Sequence, residues 1–317
     1  VTSGRDGRRP ISGWQIQISC ADYRAEIASV GASLRTLTYR SRDLVVPFDA
    51  DTVRPVFRGT VLVPWPNRII GGRYVFGGQT HQLPITEPDR GNALHGLAAW
   101  ADWTPVRADR SSVTLEYRIP AQEGYPFDVL TEATYRLDED GLHWSVRATN
   151  LGDSPAPYAL GSHPYLVGGA GRANDWTLAV PAARVLEVTE ERLAPLGLHP
   201  VESYRAGALD FRSARPVGST LIDHAYTDLI AGEPGTARVE VRSGGTGVAL
   251  IWDPQVLPWV QVHTADRPEP ALNRSGIAVE PMTCPPDAFN SGDDLVILDP
   301  GARHEASWVI RAIQEDR

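Results

Sequence analysis

The chain is predicted to fold as an all-β sandwich. Apolar and polar residues alternate wherever a pattern exists, 29 Gly and 26 Pro interrupt the sequence, and no stretch sustains a helical stripe. A period of two puts successive side chains on opposite faces of a half-buried strand. A helix would need apolar residues at i, i+3, i+4 and i+7 over about three turns between caps, and frequent Gly and Pro break any such run.

The first strand is expected where Trp14, Ile16, Ile18 and Cys20 alternate, and a β-rich run follows over 34–39. Val113, Leu115, Tyr117 and Ile119 repeat the pattern, ahead of a run over 131–137 and the set Trp144, Val146 and Ala148. The glycine-rich segment 168–175 reads as a solvated surface turn in preference to a mobile flap. Val239 and Val241 mark another strand, and further runs cover 248–252, 259–264 and 307–313. A βαβ enzyme would need helical segments of about 10 to 15 residues between strands, and the sequence offers none. No linker, charge block or repeat divides the chain. Residues 14–317 are therefore expected to form one domain, and the polar residues 1–13 a flexible leader.

The composition, 42% hydrophobic and 22% charged, is that of a soluble globular protein, and no apolar run is long enough for a bilayer. A cytoplasmic monomer or homodimer without membrane contact is expected. The formal charge is -9, and all 30 basic residues are Arg, interspersed among 39 acids. That distribution excludes a nucleic-acid partner, which needs a concentrated basic face, but leaves room for a small anion held by one or two Arg. Cys20 and Cys284 lack any framework spacing and read as reduced thiols, with a bridge between the ends of the chain as the minor alternative.

Three compact segments carry candidate chemistry: Asn92-Ala-Leu-His95-Gly96, Gly161-Ser-His163-Pro-Tyr165 and Gly276-Ile-Ala-Val-Glu280-Pro281. Imidazoles and a partly buried carboxylate can exchange protons with one substrate near neutral pH. His163 and Glu280 each precede a proline, which enforces extended geometry and withholds a ladder donor. Both are therefore expected at interrupted strands that re-aim side chains into a cleft. Upstream, Arg68 follows a Pro-rich turn and offers a donor fork for an oxygen-rich ligand or a surface ion pair. No pair of histidines has metal-ligand spacing with accompanying acids or thiols, and no Gly-x-Ser-x-Gly elbow marks a hydrolase.

In order and spacing these segments resemble the aldose 1-epimerase (galactose mutarotase) family, in a divergent bacterial branch. The match runs through Pro66-Asn67-Arg68-Ile, Gly72-Arg-Tyr74-Val-Phe76, Leu94-His95-Gly96, Ser162-His163-Pro-Tyr165, Asp223-His224-Ala-Tyr226, Glu280 and Pro286-Asp-Ala-Phe-Asn290. It covers nearly the whole chain. The resemblance implies a large antiparallel sandwich holding a monosaccharide, with Arg68, Asn67, His95, His163, Asp223 and Glu280 around the ring. His163 is then the general acid on the ring oxygen and Glu280 the general base on the C1 hydroxyl. Gln261 stands where the family often has Gln, and His263 is a neighbouring candidate. Of the aromatic residues a sugar could pack on, Trp65, Tyr165 and Trp259 are the candidates, and Trp259 is taken as substrate-binding. This chemistry calls for no cofactor and no metal.

Three positions depart from the best-known galactose mutarotases: Leu97 stands for a second Gly, Glu87 for an Asn and His263 for a Tyr. The sugar is accordingly read as a neutral aldohexose or as one that is anionic at C6, such as sulfoquinovose or a hexose 6-phosphate. Arg73, Arg90, Arg267 and Arg274 are the candidate anion partners. A non-catalytic sugar-binding sandwich is the alternative of another class, and a glycosidase using Asp223 with Glu280 a third.

Overall fold

The computed structural model describes residues 8–314. Two large antiparallel sheets dominate it. The nine-stranded sheet runs Thr104–Ala108, Ser112–Ile119, Val129–Asp138, Gly141–Asn150, Arg303–Ile313, Thr246–Trp252, Ala237–Ser243, Thr177–Ala179, Arg215–Pro216. The eight-stranded sheet runs Pro195–Pro200, Ala182–Val188, Asp223–Leu229, Trp259–His263, Ile277–Met282, Gly161–Ser162, Val61–Leu62, and Tyr165–Leu166 also pairs with Ile277–Met282. Among the described residues the one α-helix is the single turn Ala288–Ser291. The all-β sandwich expected from the alternation is the fold.

Strand parity divides the residues between core and surface. From the nine-stranded sheet Tyr135, Trp144 and Trp308 stack inward, with ring centroids 4.8 and 5.0 Å apart. From the eight-stranded sheet Tyr226, Val260, Val262 and Val279 enter the same core. Burial of such aromatic and branched side chains supplies most of the driving force, at about 25 cal/mol per Å² of apolar surface. The alternate residues Trp259, Gln261 and Glu280 turn to the outer face of that sheet, and the candidate site is built there.

Each strand expected from alternation is present, but three local details differ. Trp14 precedes the Gln15–Cys20 strand and is 39% exposed, with the Arg9 guanidinium 5.0 Å from its ring. The packed region extends N-terminal of Trp14. Ser12 is buried, its N–H donates to the Ala50 carbonyl at 3.0 Å, and Arg9 pairs with Asp102. Residues 9–13 of the expected leader are thus held against the body, while 1–7 lie outside the described residues. The 168–175 loop is tied down as well: the Ala173 N–H donates to Arg274 O and the Trp176 indole to Ala170 O. Cys20 and Cys284 are unpaired thiols, the second buried.

Candidate active site

The register of the eight-stranded sheet sets the site out in rows. Gly161 pairs with Met282 and Tyr165 with Ala278, an unbroken register that puts His163 directly across from Glu280. Glu280 pairs in turn with Gln261, and Gln261 with Ala225. One step along lies a second row: Tyr165, Ala278, His263 and Asp223. Residues two apart on a strand share a face, so both rows point outward together.

The His163-Pro164 dipeptide interrupts its strand between Gly161–Ser162 and Tyr165–Leu166, as expected for a pre-proline residue. The His163 N–H donates away from the break, to Thr60 O at 3.0 Å. Glu280 differs from expectation, because Ile277–Met282 runs through Pro281 as a continuous strand paired on both sides. The Val279 N–H donates to Pro164 O at 3.1 Å, so the Pro281 nitrogen, two residues on, faces the same flank. The missing donor therefore falls opposite Ser162, the last residue before the break, and the Pro164 nitrogen on the next rung faces Val279.

His163 and Glu280 are both buried, with His163 Nε2 3.4 Å from Glu280 Oε1. The imidazole lies between two near-parallel rings, Tyr165 at 5.0 Å and Phe57 at 6.3 Å. Burial lowers His163 to about 3, assisted by His263 and by the buried Arg54 guanidinium. Burial raises Glu280 well above the usual carboxylate range, and the Asp223 charge adds to it. Opposing shifts of this kind favour one proton shared by the pair at neutral pH.

His95 approaches from a separate two-stranded ladder, in which Arg68–Ile70 pairs with Asn92–Leu94. At its end the Asn67 N–H donates to His95 Nδ1 at 3.2 Å, and the His95 N–H donates to Asn67 O at 2.8 Å. An accepting Nδ1 leaves the proton of a neutral ring on Nε2. Burial holds His95 neutral, far below the ordinary imidazole value, so Nε2–H is a donor. Gly96 makes this turn possible: its φ is +76°, and a Cβ there would run into the Val63 carbonyl oxygen. Gly96→Ala is expected to cost about 1–3 kcal/mol or more and to displace His95, which denaturation midpoints and activity measure together. Wild-type stability in that variant would contradict the assignment.

Asp223 is tied at Oδ1 by the Gln261 amide, 2.7 Å away. Burial would raise its pKa, but the opposing pull of His263, Arg68 and Gln261 lowers it, so it is an ionised acceptor. These groups line a cavity of about 500 Å³ together with Arg68, Asn67, Glu87, Arg90, Phe57 and Tyr165, a volume suited to a small ligand. Glu280 Oε2, Gln261 Oε1 and His163 Nδ1 are buried without a protein partner.

Of the residues nominated from sequence, Arg68, Asn67, His95, His163, Asp223, Gln261, His263, Tyr165 and Glu280 meet here, and Trp259 does not. Trp259 pairs with Met282, one row away, and packs with Leu186 and Ala225. Its indole N–H donates to Asp294 Oδ2 at 2.7 Å, facing an adjoining cavity. Trp65 is buried against Phe289, away from the site. Arg73 stands outside the cavity, and Arg274 is buried, its guanidinium spent on Asp266 and on the carbonyls of Gly218 and Thr220. Phe57 and Arg205 line the cavity without a sequence signal that singled them out, and His224, quoted only as part of the Asp223-His224-Ala-Tyr226 match, lines it too.

Donor atoms of His95, His163 and Glu280 lie within 4.8 Å of one another, a spacing a metal ion can use. The His95 tautomer argues against it. Its Nε2 carries the proton because Nδ1 accepts from Asn67, so no lone pair faces the other two groups.

The buried His163–Glu280 pair and the oriented His95 imidazole lie on the outer face of a large antiparallel sandwich of the galactose mutarotase-like fold. The aldose 1-epimerase family profile matches residues 15–311, and the chain belongs to that family. It is 37% identical over 294 residues to the Escherichia coli K12 protein YihR, described as uncharacterized, spanning 92% of this chain and 91% of that one. Mouse galactose mutarotase is 29% identical over 243 residues, 71% of this chain and 68% of the enzyme. Among solved structures, galactose 1-epimerase of Lactobacillus acidophilus superposes with a TM-score of 0.81 at 20% identity, covering 99% of this chain and 98% of that one. The C. elegans aldose epimerase homologue gives 0.82 at 22%, covering 96% and 99%.

Proposed function

We propose that the protein interconverts the α and β anomers of a free aldohexose by opening and closing the ring. The observation that carries this reading is the buried His163–Glu280 pair, 3.4 Å apart, on the floor of a polar cavity. Opening a hemiacetal needs one proton delivered to the ring oxygen and one removed from the C1 hydroxyl. Burial rests the pair's shared proton on Glu280. In the tautomer with that proton transferred to His163 across the 3.4 Å contact, the pair supplies both: His163 protonates the ring oxygen, and the Glu280 carboxylate takes the hydroxyl proton. The aldehyde rotates about C1–C2, and reversed transfers close the ring on the other face. Acid–base help of this kind gives about 10²–10⁴-fold. His95 Nε2–H and Arg68 donate to sugar oxygens, Asn67 orients both, and Asp223, set by Gln261, accepts from hydroxyls.

A second substrate reading is favoured by one observation. Arg205 and Arg267 line the cavity, and neither pairs with a carboxylate among the described residues. A sulfonate or phosphate at C6 could pair with these exposed guanidinium groups, which water solvates when the substrate is neutral.

Polarimetry on fresh α-D-glucose and α-D-galactose, and NMR exchange on sulfoquinovose and glucose 6-phosphate, test both readings. Acceleration of a neutral sugar supports the first, and acceleration confined to anionic sugars the second. The spontaneous rate on all four would leave a sugar-binding sandwich. The pH profile of kcat/KM is a further expectation. The one-proton pair is lost on the acid side only as it takes up a second proton, which the burial that lowers His163 to about 3 holds far below the ordinary 6.5. On the alkaline side it is lost as the pair releases its last proton, which burial of Glu280 delays. The profile should thus be flat through pH 6.5, and an acid limb there would show His163 titrating as an exposed imidazole.

A further inference from the structure

Arg68 is not a free cation in this cavity. Its Nε donates to Glu87 Oε2 at 2.8 Å and its Nη2 to Glu87 Oε1 at 2.9 Å, a two-pronged contact. Its Nη1 donates to Asn67 Oδ1 at 3.2 Å. Three of the five guanidinium hydrogens are thereby used, and one on each Nη remains. The pair is largely shielded, with side chains 11% and 12% exposed, where charge–charge contacts are least screened. Glu87 also accepts from Arg90 Nη1 and Asn92 Nδ2, both at 3.3 Å. Burial alone would raise its pKa, but these donors, Arg68 first, hold it low, so it is ionised. The backbone supports the contact, because Glu87 and Asn92 exchange N–H···O bonds of 3.0 and 3.2 Å across a tight turn.

We propose that Glu87 is a positioning and specificity residue, which locks the Arg68 guanidinium in one orientation and offsets its charge so that its remaining hydrogens serve a neutral sugar oxygen. The inference rests on the sugar-binding role of Arg68 proposed above. A carboxylate in a fork–fork contact fixes the guanidinium plane, and through Asn67 the same plane bears on His95. Without Glu87 the guanidinium would swing, and its charge would attract anions into the cavity. The Arg68 end is thus built for hydroxyls, and any anionic substituent belongs at the Arg205 and Arg267 end.

The test compares wild type, Glu87→Gln, Glu87→Asp, Arg68→Ala and the Glu87→Gln/Arg68→Ala double variant. Glu87→Gln removes the charge, and Glu87→Asp keeps it but shortens the reach. Both are expected to lower kcat/KM by about 10- to 100-fold, the range that supporting hydrogen-bond partners command at metal centres. Only Glu87→Gln should gain about tenfold in sulfate affinity, read by competitive inhibition and by sulfate-induced thermal stabilisation. In the Arg68→Ala background Glu87→Gln should change neither quantity further, which a merely structural role for Glu87 would not produce. Wild-type kinetics and sulfate affinity in Glu87→Gln, or equal losses with and without Arg68, would overturn the proposal. The thermal shift needs no turnover. An inactive wild type would therefore sink the mutarotase reading while the Arg68-dependent gain in sulfate binding still decides this one. If Glu87→Gln does not fold, Glu87→Asp with wild-type kcat/KM overturns it.

Discussion

Glu280→Gln is expected to bring anomerisation close to the spontaneous rate, a loss of about 10²–10⁴-fold, while the protein stays at least as stable. The two halves of this expectation share one cause. Burial and the Asp223 charge raise the Glu280 pKa, so folding already disfavours the carboxylate. Glutamine has nearly the same shape and cannot ionise, so it removes the base without leaving an unpaired buried charge. Gln261, its cross-strand neighbour, leaves Oε1 without a protein partner, and the new amide can donate to it. Polarimetry and thermal denaturation on the same preparation make the test. Retention of more than about a tenth of the rate would remove Glu280 from the proton transfer. Loss of rate together with collapse of the fold would show a structural carboxyl instead.

His163→Ala is expected to lose about as much, and the double variant His163→Ala/Glu280→Gln to be no slower than the worse single one. Two groups that hold one proton between them act as a unit, so removing either disables both. His163 also fills the space between the Tyr165 and Phe57 rings, and the alanine variant should be less stable for that reason. His163→Gln, which fills more of the space without titrating, separates packing from proton transfer: stability should return, and the rate should not. Multiplicative losses in the double variant would mean that the two residues act in different steps.

The strands were legible in the sequence because alternation at a period of two is a direct imprint of burial on one face. Trp144, Val146 and Ala148 are all buried in Gly141–Asn150, as their spacing required. His163, Glu280 and His95 were legible as chemistry because each lies in a short segment bounded by Gly or Pro. Register was not legible. Nothing in the sequence places Asp223 in a row with His263, Ala278 and Tyr165, and residue type alone cannot put Trp259 one row away from its neighbour Gln261. Glu87 stood out as a departure from the family, but its contact with Arg68 depends on two hairpin segments meeting. Phe57 was invisible for a different reason. It reaches both imidazoles from a turn in which Val56 and Phe57 have φ of 43° and 58°, a conformation that neither residue type announces.

The two prolines of the site form a matched defect. The Pro281 nitrogen has no hydrogen to donate, and the strand it faces is the one that Pro164 helps to break. They occupy successive rungs, Pro281 opposite Ser162 and Pro164 opposite Val279, so two neighbouring rungs each lack one backbone donor. Substitutions at the two positions are therefore coupled. Replacing Pro281 alone would restore a donor opposite the Ser162 carbonyl and leave the Pro164 rung short, so only a double replacement would close the ladder and remove the break beside His163. His-Pro and Glu-Pro, more than 100 residues apart in the chain, thus act on the sheet as one local weakening of the ladder, set beside the two side chains of the buried pair.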